Sequence, residues 1–244
     1  HRSSRPAIDR PGTLCYKHHN TLPAIAMLQT LAKPLSLQEF LALPETEPAS
    51  EFIDGKILQK PMPQGQHSRL QQKLITAINR ITEEAQTALA LPELRCSFGD
   101  RSIVPDIAVF AWDRVPTEPD GTIANQFSAP PDWIIEILSP DQSMTRVTRN
   151  ILHCLDYGSQ MGWLIDPQEK VVLVHQPASH PNPAIQAAPQ NLLPERPGHS
   201  TSPARSRQIQ TQLLENSDDR LPVPTVCSDF SLTLGQLFNW LKLA

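Results

Sequence analysis

The sequence has little that would advertise a membrane, a disulfide scaffold or a nucleic-acid coat. No apolar run approaches the ~20 residues of a bilayer-spanning helix. The stretch TLPAIAMLQTLA at 21–32 is short and carries Pro23, which argues against a signal peptide. The chain has 4 cysteines, Cys15, Cys96, Cys154 and Cys227, with no C-x-x-C and no paired spacing. Neither a zinc knuckle nor a disulfide framework follows, and reduced thiols in a cytoplasmic protein are expected. A formal net charge of −4 and a pI near 6.1 leave no global basic field. That weighs against a passive nucleic-acid coat, but less against an enzyme whose metal ions supply local positive charge. Glycine occurs 9 times against 25 prolines, where a proline share of ~5% is usual. Those prolines cluster, which indicates an irregular segment and not a collagen-like or fibrous chain.

What is present suffices for one good-sized domain with trimmings, or two small ones: 244 residues, 39% hydrophobic and 19% charged. The start, HRSSRPAIDRPGTLCYKHHN, is polar and without period, and the first Met is Met27. Residues 1–34 are expected to be a disordered or spurious N-terminal extension. From Ser36 the signals sharpen. SLQEFLAL places Ser36 as N-cap with Glu39 three residues on, a capping box for a short helix. EFIDGKILQK reads as a hairpin around Asp54-Gly55. QGQHSRLQQKLITAINRITEEAQTAL reads as the longest helix, with Leu70, Leu74, Ala77, Ile78, Ile81 and Ala85 as its apolar stripe.

Strands are expected around 103–110 and 133–138, then a helix from about Thr145 to Tyr157 ended by Gly158. GWLIDPQEKVVLVH is a further hairpin. Residues 176–222 are rich in Pro, Gln, Ser and Asn and are expected to be a flexible insertion. In 223–244, FSLTLGQLFNWLKL restores helical spacing at Leu234, Leu237, Phe238 and Leu241, predicting a closing helix that docks back. Short mixed elements without regular βαβ alternation predict an α/β (α+β) fold, a mixed sheet flanked by helices.

Two of the apolar strands each carry one acid. In RSIVPDIAVF, Asp106 lies among Ile103, Val104, Ile107, Val109 and Phe110; in PPDWIIEILSP, Glu136 interrupts Trp133, Ile134, Ile135, Ile137 and Leu138. A charge there is costly to bury unless it is paired. Strand alternation puts Glu136 on the face of Ile134 and Leu138, and Asp106 on the face of Ala108. If these strands pair, the two acids converge. Their repulsion would protonate one of them, and a divalent cation would relieve it; oxygen ligands suit Mg²⁺ or Mn²⁺ better than zinc.

Glu51 with IDG, His67 opening a long helix, VPD ending at Asp106, EILSP starting at Glu136 and GWLIDP at 162–167 together resemble the Uma-two family of restriction endonucleases. These belong to the PD-(D/E)XK nuclease superfamily, and the resemblance spans a nuclease-like domain at 35–175 plus the C-terminal helix. It implies a restriction-endonuclease-like fold, with a central mixed β-sheet flanked by helices, and Mg²⁺-dependent hydrolysis of DNA, with Mn²⁺ as substitute. By the same resemblance Asp106 and Glu136 are the metal-binding pair and the backbone carbonyl of Ile137 a third ligand. Glu51 completes or orients the metal shell, and His67 handles a proton or contacts phosphate. A homodimer would supply two sites for two strands. The sequence departs from the family's pattern at the lysine: Leu138 stands two residues after Glu136, and Asn150 stands at the helix position from which family members supply it. Arg146, Arg149 and His153 are the nearby cations.

Plainer readings stand beside these. Alone, Asp106 reads equally well as a turn residue after Pro105, Glu51 as solvated surface and His67 as a first-turn polar residue. Arg146, Arg149 and His153 fit the wet face of a helix. Asp54 and Asp166 are turn residues, and Trp133, Trp163 and Trp240 core aromatics. The alternatives to the endonuclease are a degenerate relative that binds nucleic acid or protein, a phosphohydrolase of small substrates, and a structural interaction domain.

Overall fold

The computed structural model describes residues 35–140, 142–178 and 208–243, all within the unit Pro34–Ala244. The N-terminal extension expected over 1–34 and most of the Pro-rich stretch, 179–207, lie outside the described residues.

The chain first builds a small antiparallel sheet. Helix α1 (Leu37–Leu41) starts on a capping box: the Glu39 N–H donates to Ser36 Oγ at 3.2 Å and the Ser36 N–H to Glu39 Oε2 at 2.8 Å. Strands β1 (Ser50–Ile53) and β2 (Lys56–Gln59) join through Asp54 and Gly55, both at positive φ, as a two-residue type I′ turn requires. That turn fixes the register, Ile53 opposite Lys56 and Glu51 opposite Leu58. A second tight hairpin, β4 (Cys96–Phe98) to β5 (Arg101–Ile103), completes a four-stranded sheet of order β2-β1-β5-β4.

Helix α2 (Gly65–Thr82) buries Leu70, Leu74 and Ile78 at helical spacing. The long helix expected through Leu89 stops at Thr82: Gln86 adopts positive φ, and the chain turns into edge strand β3 (Ala88–Pro92), paired with β6 (Ile107–Ala111). With β7 (Trp133–Ile137), β8 (Met161–Asp166), β9 (Val171–Pro177) and β10 (Ile209–Leu214), these make a six-stranded sheet, β10-β9-β8-β7-β6-β3. β7 and β8 are parallel, and α3 (Met144–Asp156) is their crossover. The segment 176–222 is thus not flexible throughout, because Ile209–Leu214 pairs along β9 and Leu221 is buried.

β7 separates two cores by alternation. Trp133, Ile135 and Ile137 pack with α2 and with Leu234, Leu237 and Phe238 of α4 (Leu234–Asn239). Ile134, with Ala108 and Leu164, packs with Val147, Ile151 and Cys154 of α3 and with Ile53 and Ile103 of the small sheet. α3 lies so close to β8 that a Cβ on Gly162 would collide with Ile151 Cγ2.

The single strand expected at 103–110 is two. Arg101–Ile103 belongs to the small sheet and Ile107–Ala111 to the large one. Pro105 has no N–H to continue a ladder, so the chain changes sheets there. Asp106 stands at that junction.

Candidate active site

The β6–β7 register pairs Ile107 with Ile135, and one step further sets Asp106 across from Glu136. The Ile137 N–H, one residue beyond Glu136, donates to Asp106 Oδ2 at 2.7 Å and ties the two strand ends together. Asp106 and Glu136 are each 2% exposed. The small sheet adds a third acid: Glu51 of β1, also buried, whose Oε1 accepts the Val104 N–H at 3.0 Å. From α3, Asn150 Nδ2 reaches Glu51 Oε1 and Oε2 at 3.2 and 3.3 Å, while Asn150 Oδ1 is buried without a partner. Helix α2 contributes His67, whose Nε2 lies 3.0 Å from Asp106 Oδ2, and Gln71, which donates to the Asp106 carbonyl at 2.8 Å. The His67 Nδ1 is buried and unpartnered.

Lys60 closes the cluster. It sits one residue beyond β2, and its Nζ donates to Asp106 Oδ1 and to the Val104 carbonyl, each at 2.6 Å. Burial alone would lower its pKa, but the charges of Asp106, Glu136 and Glu51 outweigh that and hold the ammonium above its ordinary range. Burial likewise pushes Asp106 up, and the Lys60 charge with the His67 hydrogen bond overcomes it, so Asp106 is held well below the usual carboxylate range. Glu136 goes the other way. Burial first, then the charge on Asp106, raises it well above 4.5 against the pull of Lys60. A cleft of ≈520 Å³ opens on this cluster, lined by Lys60, His67, Glu93, Asp106, Ser139 and Gln142 among others.

Glu51, His67, Asp106 and Glu136 therefore meet in one place, and the cations expected on α3 do not join them. Arg146 is half-buried and Arg149 exposed, and neither forms an ion pair with a site carboxylate. His153 bonds the Phe98 carbonyl at 3.2 Å and stacks on the Phe98 ring; burial, then Arg101, lower its pKa to about 4. Leu138 packs on the second core. Asp54 pairs with Arg101 at the surface, and Asp166 accepts the Gln168 and Glu169 N–H groups of its turn. Trp133 and Trp163 are buried edge to face.

Sequence reasoning missed Lys60, although the signal was there. With Asp54-Gly55 fixing the turn, Glu51 faces Leu58, and Lys60, two residues on, shares that face.

The acid oxygens at this junction are the hard donors that Mg²⁺ or Mn²⁺ takes, with Asp106, Glu136 and the Ile137 carbonyl as the candidate holders. Among the described residues no three His, Cys, Asp or Glu side chains stand at ligating distances around one point. Asp106 Oδ1 is bound by Lys60, so a cation there shares that oxygen with the ammonium or displaces it.

A mixed sheet flanked by helices, with acidic side chains gathered where the chain passes between sheets, is a restriction-endonuclease-like architecture. The chain belongs to the Uma2 family, described as "Putative restriction endonuclease", which matches residues 37–204. A crystal structure titled as a putative nuclease belonging to DUF820, from Anabaena variabilis ATCC 29413, is similar. It is 48% identical, covers 86% of this chain and 100% of its own, and superposes with a TM-score of 0.71. No curated protein matches the chain. The family supports a nuclease function. Among the described residues no helix is long and apolar enough to cross a membrane.

Proposed function

We propose that this protein is a divalent-metal-dependent endonuclease that hydrolyses DNA phosphodiester bonds. The observation that carries it is the buried Asp106–Glu136 pair with Glu51 beside it, three acids gathered against the single ammonium of Lys60. On this reading Mg²⁺, or Mn²⁺ in its place, is held by Asp106, Glu136 and the Ile137 carbonyl. Such an ion polarises the phosphodiester and lowers the pKa of an attacking water. Glu51, fixed by Val104 and Asn150, orients the shell. His67, hydrogen-bonded to Asp106 through Nε2, keeps Nδ1 for a proton. Two strands call for two sites, which favours a homodimer. The free, buried thiols of Cys96, Cys154 and Cys227 fit a cytoplasmic setting.

Calorimetric titration with Mn²⁺ of the wild type and of Asp106→Ala/Glu136→Ala tests the site without a known target sequence. Binding in the wild type and none in the double variant is expected, with DNA cleavage lost in either single variant. Wild-type-level cleavage by Asp106→Ala or Glu136→Ala would refute the proposal. A second reading is a relative that binds nucleic acid or a protein without cutting. The neutral Asn150 favours it, as does the ammonium seated on Asp106 Oδ1. Tight DNA binding with no cleavage under any divalent ion would select it.

A further inference from the structure

We propose that Lys60 is the catalytic cation of this site, binding a non-bridging oxygen of the scissile phosphate from the hairpin side, so that neither Leu138 nor Asn150 has to supply a charge. The inference rests on the nuclease reading above and names a residue that reading does not use.

Three buried carboxylates repel a phosphodiester, and a site that binds one needs a positive group within contact of it. Among the described residues Lys60 is the one lysine or arginine ion-paired with Glu51, Asp106 or Glu136. Its position is built and not incidental. Lys60 continues the β2 side of the hairpin, its N–H donating to the Ala49 carbonyl at 2.9 Å. Pro61 follows it, which restricts Lys60 to extended backbone and keeps its side chain on the face of Glu51. An ammonium has three donors. Two are used, on the Val104 carbonyl and on Asp106 Oδ1, and they fix Nζ to the point where the two sheets meet. The third is left for the cleft that Lys60 lines with His67 and Asp106. The side chain keeps 12% exposure there, enough for contact with a bound oxyanion and too little for free solvation.

The helix position is filled differently. Asn150 shares one amide nitrogen between both Glu51 oxygens and adds no charge. It holds the Glu51 carboxylate in place, while the cation comes from the hairpin and bonds Asp106.

Lys60→Met, Lys60→Gln and Lys60→Met/Asn150→Lys test this beside wild type and Asp106→Ala. The readouts are Mn²⁺-dependent plasmid cleavage and the salt dependence of affinity for a short DNA duplex in chelator, which needs no metal. Lys60→Gln keeps donors for Val104 and Asp106, so it serves if Lys60→Met does not fold. Removing the cation is expected to lower cleavage roughly 100-fold and the log–log salt slope by about 0.9, one phosphate contact. A lysine at 150 is expected to recover cleavage roughly tenfold or more over Lys60→Met. Full cleavage and an unchanged slope in Lys60→Gln, with Asp106→Ala inactive, overturns this inference and leaves the nuclease reading standing. A wild type that neither binds nor cuts DNA overturns both.

Discussion

Replacing Glu136 with Gln is expected to make the metal-free protein more stable while abolishing its activity. Glu136 is 2% exposed and its pKa is pushed well above 4.5, first by burial and then by the charge on Asp106. A carboxylate in such a place carries an effective desolvation penalty of several kcal/mol, and Lys60 returns only part of it. Gln removes the charge and keeps the size of the side chain and one acceptor oxygen. The net gain near neutral pH is about 2 kcal/mol, within the range seen when buried ionic groups are replaced by neutral ones. For a folded part of this size that is roughly 4–8 °C in Tm. The pH dependence gives the sign independently. Because the folded pKa is raised, the folded state holds the proton more tightly. Stability is therefore full below the unfolded value of 4.5 and is lost as pH rises towards the folded one. The gap between Glu136→Gln and wild type should be smallest at acid pH and widen upward. Thermal melts in chelator across pH read it directly, and saturating Mn²⁺ should narrow it by stabilising the wild type alone. A variant that melts below wild type at neutral pH, or a gap that shrinks with rising pH, would refute the reasoning.

Other perturbations probe the frame around the site. His153 is held neutral in the fold with its pKa lowered from 6.5 to about 4. The unfolded chain therefore takes up its proton first as pH falls, and stability present above 6.5 is lost on the way to 4. Such a shift corresponds to roughly 3 kcal/mol at full strength, which solvent screening of this incompletely buried group reduces to about 1–2 kcal/mol. Denaturant titrations should find that loss missing in His153→Phe. Gly162→Ala should destabilise by about 1–3 kcal/mol through the clash with Ile151. In Gly162→Ala/Ile151→Ala the two penalties should sum to less than their separate values, since the added methyl enters the space that Ile151 leaves. Additive penalties in urea unfolding would mean that α3 and β8 are not in contact there.

Local chemistry wrote several elements into the sequence. The Ser36–Glu39 capping box, the Asp54-Gly55 turn and the Leu70–Leu74–Ile78 stripe each depend on residues a few positions apart, and each stands in the structure as read. Alternation also put Asp106 and Glu136 on one face, that of Ala108 and Ile134 in the second core. Where local signals conflicted, the reading failed. The helix read as far as Leu89, with its stripe ending at Ala85, stops at Thr82 before Gln86 turns at positive φ, and β3 exists because β6 offers it a ladder. The strand through 103–110 divides because Pro105 cannot pair, and each half finds a different sheet. Ile209–Leu214 lies in a composition that predicts no core, yet it gains six backbone partners along β9.

By itself, then, the sequence determined which acids lie on apolar strands and that their burial demands a partner, because charge in an apolar run is costly wherever the chain goes. Only the tertiary structure decided the partner. Lys60 reaches Asp106 across 46 residues of sequence, Asn150 reaches Glu51 across 99, and His67 closes on Asp106 from a helix packed under the sheet. No local spacing encodes such contacts. They follow from two sheets meeting at a proline, which brings the ends of separate strands and helices to one point.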